Sequence, residues 1–247
     1  MHTLFGQTRS VVTNHYALFT PDGLVRAPLP GWPGATCCVV ISPVLGARFA
    51  QLLIELDPDG VGVRTDPDDE LLVFVRSGSA HIQIATASRE LTAGGFAYIP
   101  PAQNYEIRSS SAATLLIFQR RYQPLAGYAP PNLRFGQEQE LVGAPFMGDE
   151  AALLKTLLPD EPAFDMAVNI FTFQPGATLP IVETHIMEHG LLLFEGQGIY
   201  RLGSDWYPVQ AGDCIWMGSY CPQWFVATGK EPARYIYYKD VNRSPLR

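Results

Sequence analysis

Glu183, His185 and His189 fall within seven residues, in Glu183-Thr184-His185-Ile186-Met187-Glu188-His189, and so place two of the chain's five histidines beside a carboxylate. If this stretch is a strand, Glu183 and His185 point to the same face, because strand side chains alternate with a period of two. Three residues then separate His185 from His189, enough to turn or to reach the next rung of a sheet. Imidazole nitrogens with a carboxylate oxygen are the ligand types of a divalent transition-metal centre. A second stretch completes the picture further on, Gly212-Asp213-Cys214-Ile215-Trp216-Met217-Gly218-Ser219-Tyr220-Cys221-Pro222-Gln223. Glu188, next to His189, has the wrong phase to join the set and is expected outside the pocket or at the surface.

These residues need a scaffold of strands. The chain's 22 Gly and 21 Pro punctuate apolar runs of mostly four to eight residues, rich in Val, Ile, Phe and Tyr, so the fold class is all-β. His15–Val25 is read as a strand broken by a Pro-Asp-Gly turn, with His15 structural. Cys37–Ser42 and Phe49–Leu56 are the next strands. The sequence then repeats. Leu71–Gly78 resembles Leu191–Gly196, and Ala93–Ile99 resembles Ala211–Met217; one shift of 118 residues superposes Gly78 on Gly196 and Gly94 on Gly212. Glu150–Leu158 has helical propensity, yet it occupies the place held by Cys37–Ser42 in the first unit and is assigned as a strand for that reason. Gln123–Gly148, rich in Pro, Gly and Gln, is the connector.

Short strands with a Gly after a strand pair, and a Gly-led motif some fifteen residues later, resemble the jelly-roll barrel of the cupin family. Two copies make a bicupin: residues 1–125 as a metal-free N-terminal barrel and residues 126–247 as the barrel with the metal and active site. The cupin motifs have the form G-x5-H-x-H-x3,4-E-x6-G and G-x5-P-x-G-x2-H-x3-N. In the second unit Glu183 stands at the first His position, His185 at the second, His189 at the Glu position and Gln223 at the last His. The resemblance therefore implies a metal held by Glu183, His185, His189 and Gln223, a mixed N/O set suited to Mn²⁺ or Fe²⁺ with positions open for water or substrate. Zinc fits less well, since Cys214 and Cys221 are out of register. The same shift gives Thr65, Pro67, Leu71 and Tyr105 in the first unit, which makes that barrel a scaffold. The nearby acidic residues Asp66, Asp68, Asp69 and Glu70 are expected to form a solvated loop.

Around the second-unit site, Tyr200 faces inward if its strand alternates. Tyr235, Tyr237 and Lys239 share one face of the closing strand. If that face looks inward, a cation and phenols stand beside the metal; an exposed strand end is the other reading of Lys239. A metal-lined barrel with a lysine suits a small carboxylate rather than a polymer. No nucleophile elbow, phosphate loop or dinucleotide fingerprint is present.

Composition excludes other classes. Charged residues are only 17%, hydrophobic residues are 47%, and the formal charge is −7, with no basic cluster to neutralise phosphates. Arg120-Arg121 is the only adjacent basic pair, expected to be a solvated strand end. No apolar run is long enough to span a membrane, and the N-terminus lacks a signal-peptide pattern. Cys37, Cys38, Cys214 and Cys221 form no CxxC pair, which fits a reduced cytoplasmic protein.

The chain also resembles, nearly end to end, the (S)-ureidoglycine aminohydrolases, bicupins of purine (allantoin) degradation. The resemblance rests on His15 with Leu18–Val25, Pro30-Gly31-Trp32, Arg120-Arg121-Tyr122 with Gly127–Pro130, Glu183-Thr184-His185 with Glu188-His189-Gly190, Gly196-Gln197-Gly198 with Tyr200, and Tyr235-Ile236-Tyr237 with Lys239-Asp240 and Asn242-Arg243. It implies a Mn²⁺-dependent hydrolase that releases ammonia from (S)-ureidoglycine to give (S)-ureidoglycolate. Glu183, Lys239, Tyr200 and Tyr235 would then contact substrate or move protons, and a homo-oligomer is expected. Bulky Cys221-Pro222-Gln223-Trp224-Phe225 departs from the expected surroundings of the Gln. An Fe²⁺ dioxygenase or isomerase acting on a small carboxylate, or a non-catalytic ligand-binding cupin, are the alternative classes; no helix-turn-helix pattern favours a regulator.

Overall fold

The computed structural model describes residues 8–63 and 66–244, and these contain strands and three short 3-10 turns but no α-helix. Thr65 lies outside the described residues. Among the described residues no helix is long and apolar enough to cross a membrane.

The chain forms two compact units, each a jelly-roll barrel, so the molecule is a bicupin. The first comprises residues 25–141 and 160–165. Its seven-stranded sheet runs in the order Arg134–Gln137, Gly95–Ile99, Asp69–Ser77, Ala113–Arg121, Ala50–Leu56, Ala35–Ile41, Ala27–Pro28. Its four-stranded sheet runs Val61–Val63, Tyr105–Arg108, Ser79–Ile84, Ala87–Thr92. Alternate residues of both sheets meet in one apolar core that includes Trp32, Ile54, Val73, Ile82, Ile107 and Ile117, each large side chain contributing about 1.5–3 kcal/mol by leaving water. Two of the positions that correspond to the second unit's donor set, Leu71 and Tyr105, belong to this core, while Pro67 is exposed.

The second unit repeats the plan. Its large sheet runs Val11–Val12, Tyr16–Phe19, Cys214–Met217, His189–Glu195, Ala233–Asp240, Met166–Phe173, Asp149–Thr156, Ala144–Phe146, and its small sheet runs Asp205–Gln210, Gln197–Leu202, Gln223–Thr228. The duplicated glycines keep their conformations: φ is 72° at Gly78 and 74° at Gly196, 83° at Gly94 and 95° at Gly212. A Cβ would lie 2.3 Å from the Ala112 carbonyl oxygen at Gly78 and 2.5 Å from that of Pro232 at Gly196. Only glycine fits such a turn in either copy. The segment with helical propensity is indeed a strand, Asp149–Thr156, tied to Met166–Phe173.

Two expectations need correction. The units do not divide at residue 125. Tyr16–Phe19 pairs with Cys214–Met217 in the second barrel, and Arg134–Gln137 stays with the first by pairing with Gly95–Ile99. Unpaired sheet edges seek backbone partners, and a partner remote in sequence serves as well as a neighbour. The second correction concerns Arg120-Arg121 and the acidic turn. Arg121 is exposed and pairs with Asp68. Arg120, in contrast, is buried. Its Nη1 donates to the Asp165 carbonyl at 2.9 Å, and its guanidinium lies 3.4 Å from the Asp165 carboxylate and 3.9 Å from that of Glu70. Glu70 is fully buried rather than solvated and accepts a 2.5 Å hydrogen bond from the Tyr98 hydroxyl.

Burial, with Asp165 alongside, holds the Glu70 carboxyl well above the usual carboxylate range. Its contribution to stability is complete below its unfolded value, near 4.3, and is lost as pH rises through the folded one. Replacing Glu70 with Gln is therefore expected to flatten the fall in unfolding free energy from pH 5 upward, as read by urea titrations. Arg120→Met leaves two buried carboxyls without their guanidinium and is expected to cost about 3–5 kcal/mol in the same assay.

Candidate functional site

The second barrel encloses a cavity of about 140 Å³. Cross-strand register explains which side chains reach it. On the large sheet Met217, His189 and Lys239 stand opposite one another on adjacent strands. One strand period away come Leu191, Tyr237 and Asn169, and one further Tyr235 and Phe171. The alternation expected for Tyr235, Tyr237 and Lys239 thus points into the barrel, and all three line the cavity.

The small sheet supplies the opposite wall. Residues 178–183 run beside Gln223–Thr228 but meet it at only two isolated bridges, Thr178 with Val226 and Glu183 with Gln223. At the second bridge each residue's N–H donates to the other's carbonyl at 2.9 Å, so the two side chains leave the sheet on the same side. Tyr200 pairs with Phe225 and is the diagonal neighbour of Gln223; its hydroxyl lies 3.5 Å from Gln223 Oε1. Between the two walls, residues 184–188 carry His185 back over the cavity. Two hydrogen bonds tie this turn down: the Tyr220 N–H donates to the His185 carbonyl at 2.7 Å, and Thr184 Oγ1 donates to the Tyr220 carbonyl at 3.1 Å. Tyr220 accepts a left-handed φ of 62° to do so, a conformation that costs energy in a non-glycine residue and recurs at functional sites.

Three donors converge at the centre. His185 Nε2 lies 3.0 Å from His189 Nε2 and 3.2 Å from Gln223 Nε2. His185 Nδ1 is 3.0 Å from the Met187 carbonyl, which makes Nδ1 the donor and leaves the Nε2 lone pair facing inward. Two imidazole nitrogens at this separation need a proton or a cation between their lone pairs. A 3.0 Å chord also matches two neighbouring ligands of an octahedral ion at about 2.1 Å. Amide N and O are assigned from the hydrogen-bond network, so Gln223 can present its oxygen to a cation by turning over. Among the described residues no three His, Cys, Asp or Glu side chains form a closed cluster by themselves. The convergence is of two imidazoles and an amide, with Glu183 on the cavity wall beside them. By donor chemistry this set fits a divalent ion of intermediate softness.

Burial dominates the electrostatics. It lowers His189 well below the ordinary histidine value, with His185 and Lys239 adding to the effect, so the ring is a neutral imidazole. It raises Glu183, against the pull of His185 and Lys239. Tyr200 and Tyr235 are raised well above the usual phenol range, also by burial, and remain hydrogen-bond donors.

All seven residues singled out in the sequence, Glu183, His185, His189, Gln223, Tyr200, Tyr235 and Lys239, line this one cavity. Glu188 does not. It is buried rather than at the surface, accepting from Trp216 Nε1 at 3.2 Å while its N–H donates to Asp240. The sequence reading missed Asn169, Phe146, Leu154, Phe171, Leu191 and Met217, which with Tyr237 complete the wall. For Asn169 one signal existed: it is the lone polar residue on its face of the Met166–Phe173 strand, between Ala167 and Phe171.

The chain is similar to known proteins along its whole length. A family model described as a cupin domain matches residues 169–238. The chain is 41% identical to (S)-ureidoglycine aminohydrolase of Arabidopsis thaliana over 249 residues, covering 100% of this chain and 82% of the relative. It is 36% identical to the protein of the same name from Escherichia coli K12, covering 95% and 92%. Among solved structures, a putative glyoxylate-induced protein from Pseudomonas aeruginosa superposes with a TM-score of 0.90 at 31% identity, covering 98% of this chain and 94% of that one. Identity at this level, sustained from end to end and not only across the barrel with the cavity, means that the chain belongs to the (S)-ureidoglycine aminohydrolase family of enzymes.

Proposed function

We propose that this enzyme is a manganese-dependent hydrolase that releases ammonia from (S)-ureidoglycine to give (S)-ureidoglycolate in allantoin degradation. The observation that carries the reading is the convergence of His185, His189 and Gln223 within 3.0–3.2 Å, in one cavity with Glu183 and Lys239. Glu183, His185, His189 and Gln223 would hold the metal. When bound, a divalent ion would polarise the substrate's heteroatoms and fix its orientation; the mixed N/O donors favour Mn²⁺ or Fe²⁺ over zinc.

The chain's own groups do the rest. The Lys239 ammonium binds the substrate carboxylate, and the half-buried position of the lysine strengthens that pairing. The reacting carbon bears an amine, a ureido nitrogen and the carboxylate. Glu183 delivers a proton to the amine, the C–N bond breaks with its electron pair leaving on ammonia, and water adds to the same carbon while returning its proton to Glu183. Tyr200 and Tyr235, kept protonated by burial, donate hydrogen bonds to the substrate during these steps. The apolar wall of Phe146, Leu154, Phe171, Leu191 and Met217 limits the water that reaches the carbon. A cavity of about 140 Å³ admits a small acid and no polymer, and a net charge of −7 favours neither nucleic acid nor an anionic membrane. We place the enzyme in the cytoplasm as a homo-oligomer, the four buried free thiols suiting a reducing compartment.

Ammonia release from freshly generated ureidoglycine, followed with and without chelator, tests the reaction, and the chirality of the product tests the face of attack. Glu183→Ala and His189→Ala are each expected to abolish both bound metal and ammonia release. Wild-type metal content in both purified variants would refute the ligand assignment. Lys239→Met should keep its metal but raise KM by about tenfold to a hundredfold, the value of one charge-assisted hydrogen bond. An unchanged KM would remove Lys239 from the carboxylate site.

A further inference from the structure

Asn169 carries chemistry that the reaction described above does not use. It is 6% exposed and lines the cavity directly across from Tyr237. Its Nδ2 donates to the Tyr237 hydroxyl at 3.1 Å, which fixes the amide, and its Oδ1 is buried with no hydrogen-bond partner among the described residues. Buried amide oxygens in native proteins are nearly always paired, so an acceptor held in this way on a cavity wall is suited to a donor that arrives with a ligand. On that wall Phe171 neighbours Asn169 on its own strand, and Leu191 lies across the same rung beyond Tyr237.

We propose that Asn169 is a specificity-determining residue whose side-chain oxygen accepts an N–H from the ureido end of the substrate. This rests on the ureidoglycine reading and deepens it, because it assigns the substrate's orientation. Tyr237 and Lys239 are two residues apart on one face of a strand, so their side chains stand about 6.6 Å apart along it. In the substrate four bonds, roughly 5 Å when extended, separate the carboxylate carbon from the terminal amide nitrogen. A molecule with its carboxylate on Lys239 thus brings its N–H groups to the rung of Tyr237 and Asn169. The class of ligand selected is a short acid with a urea or amide N–H at the far end, in preference to the same acid without it.

Calorimetric binding to the Mn²⁺-loaded protein tests this, with (S)-ureidoglycolate and glycolate as the paired probes, since glycolate lacks only the ureido group. Wild type is expected to bind ureidoglycolate at least about tenfold more tightly, as a site with a buried hydrogen-bond group rejects analogues that cannot satisfy it. Asn169→Leu, with Asn169→Ala beside it as the variant free of added bulk, should lose that preference while metal content and glycolate affinity stay within about twofold. A wild type that binds both probes alike overturns the substrate reading, and this inference with it. A wild type that discriminates, with both variants discriminating equally well, overturns this inference alone, as does an equal loss of affinity for both probes. Tyr237→Phe separates direct recognition from positioning. Some preference for ureidoglycolate should survive in it if Asn169 reads the N–H itself, and its complete loss there would overturn the assignment of Asn169 as the acceptor.

Discussion

The reciprocal backbone pair between Glu183 and Gln223 is the constraint on which the site depends. In the first barrel the segment that corresponds to residues 179–181 is a regular strand, Val61–Val63, laddered to Tyr105–Arg108 through three consecutive pairs. The second barrel replaces that ladder with two isolated bridges, leaving four residues between Thr178 and Glu183 against two between Gln223 and Val226. The mismatch forces the segment to bulge away from the sheet, and bulges of this kind re-aim side chains near active sites. Glu183 and Gln223 stay locked face to face, while the chain beyond them is free to fold His185 back towards His189. A continuous ladder there would have carried His185 along the sheet instead of over the cavity.

The two barrels show what that exchange costs and what it gains. On a similar plan, the first fills its interior with Leu71, Tyr105 and the branched side chains around them. It keeps its buried ionisable groups in a separate knot of Glu70, Arg120 and Asp165. The second keeps an opening of about 140 Å³ lined by imidazole, amide, carboxylate and phenol groups. Polar groups around an opening give up both packing and hydration, a cost that the filled interior of the first barrel avoids. A duplicated fold allows one copy to be optimised for packing while the other retains the strain and polarity that chemistry needs.

Much of this was legible from residue types and spacing, because the signals were local. Gly78 and Gly196 mark the repeat since both occupy a left-handed turn where a Cβ would meet a carbonyl. Tyr235, Tyr237 and Lys239 could be grouped because alternation on a strand needs no knowledge of its neighbours. What failed was whatever depended on pairing at long range. Nothing in Tyr16–Phe19 announces that its partner is Cys214–Met217 some two hundred residues later. Arg120 and Arg121 look alike as a dipeptide, but one faces a buried carboxyl pair and the other faces water. Asn169 became part of the cavity only through its register with Tyr237, and Glu188 was set inside the protein by Trp216 and Asp240, from two different strands.

The donors of the proposed centre are also oriented from behind, which bears on how tightly an ion would be held. The Met187 carbonyl fixes the tautomer of His185 from within the same turn. On the other wall the Tyr200 hydroxyl points towards the Gln223 amide oxygen at 3.5 Å. Such outer contacts set the basicity and direction of ligating groups and commonly contribute about ten- to a hundredfold in metal affinity. The Tyr200 hydroxyl would therefore have two functions that compete. In the proposed centre a substrate that drew the Tyr200 hydroxyl away from Gln223 would free the amide oxygen for an ion, coupling ligand binding to the strength of the fourth donor through a single hydrogen bond.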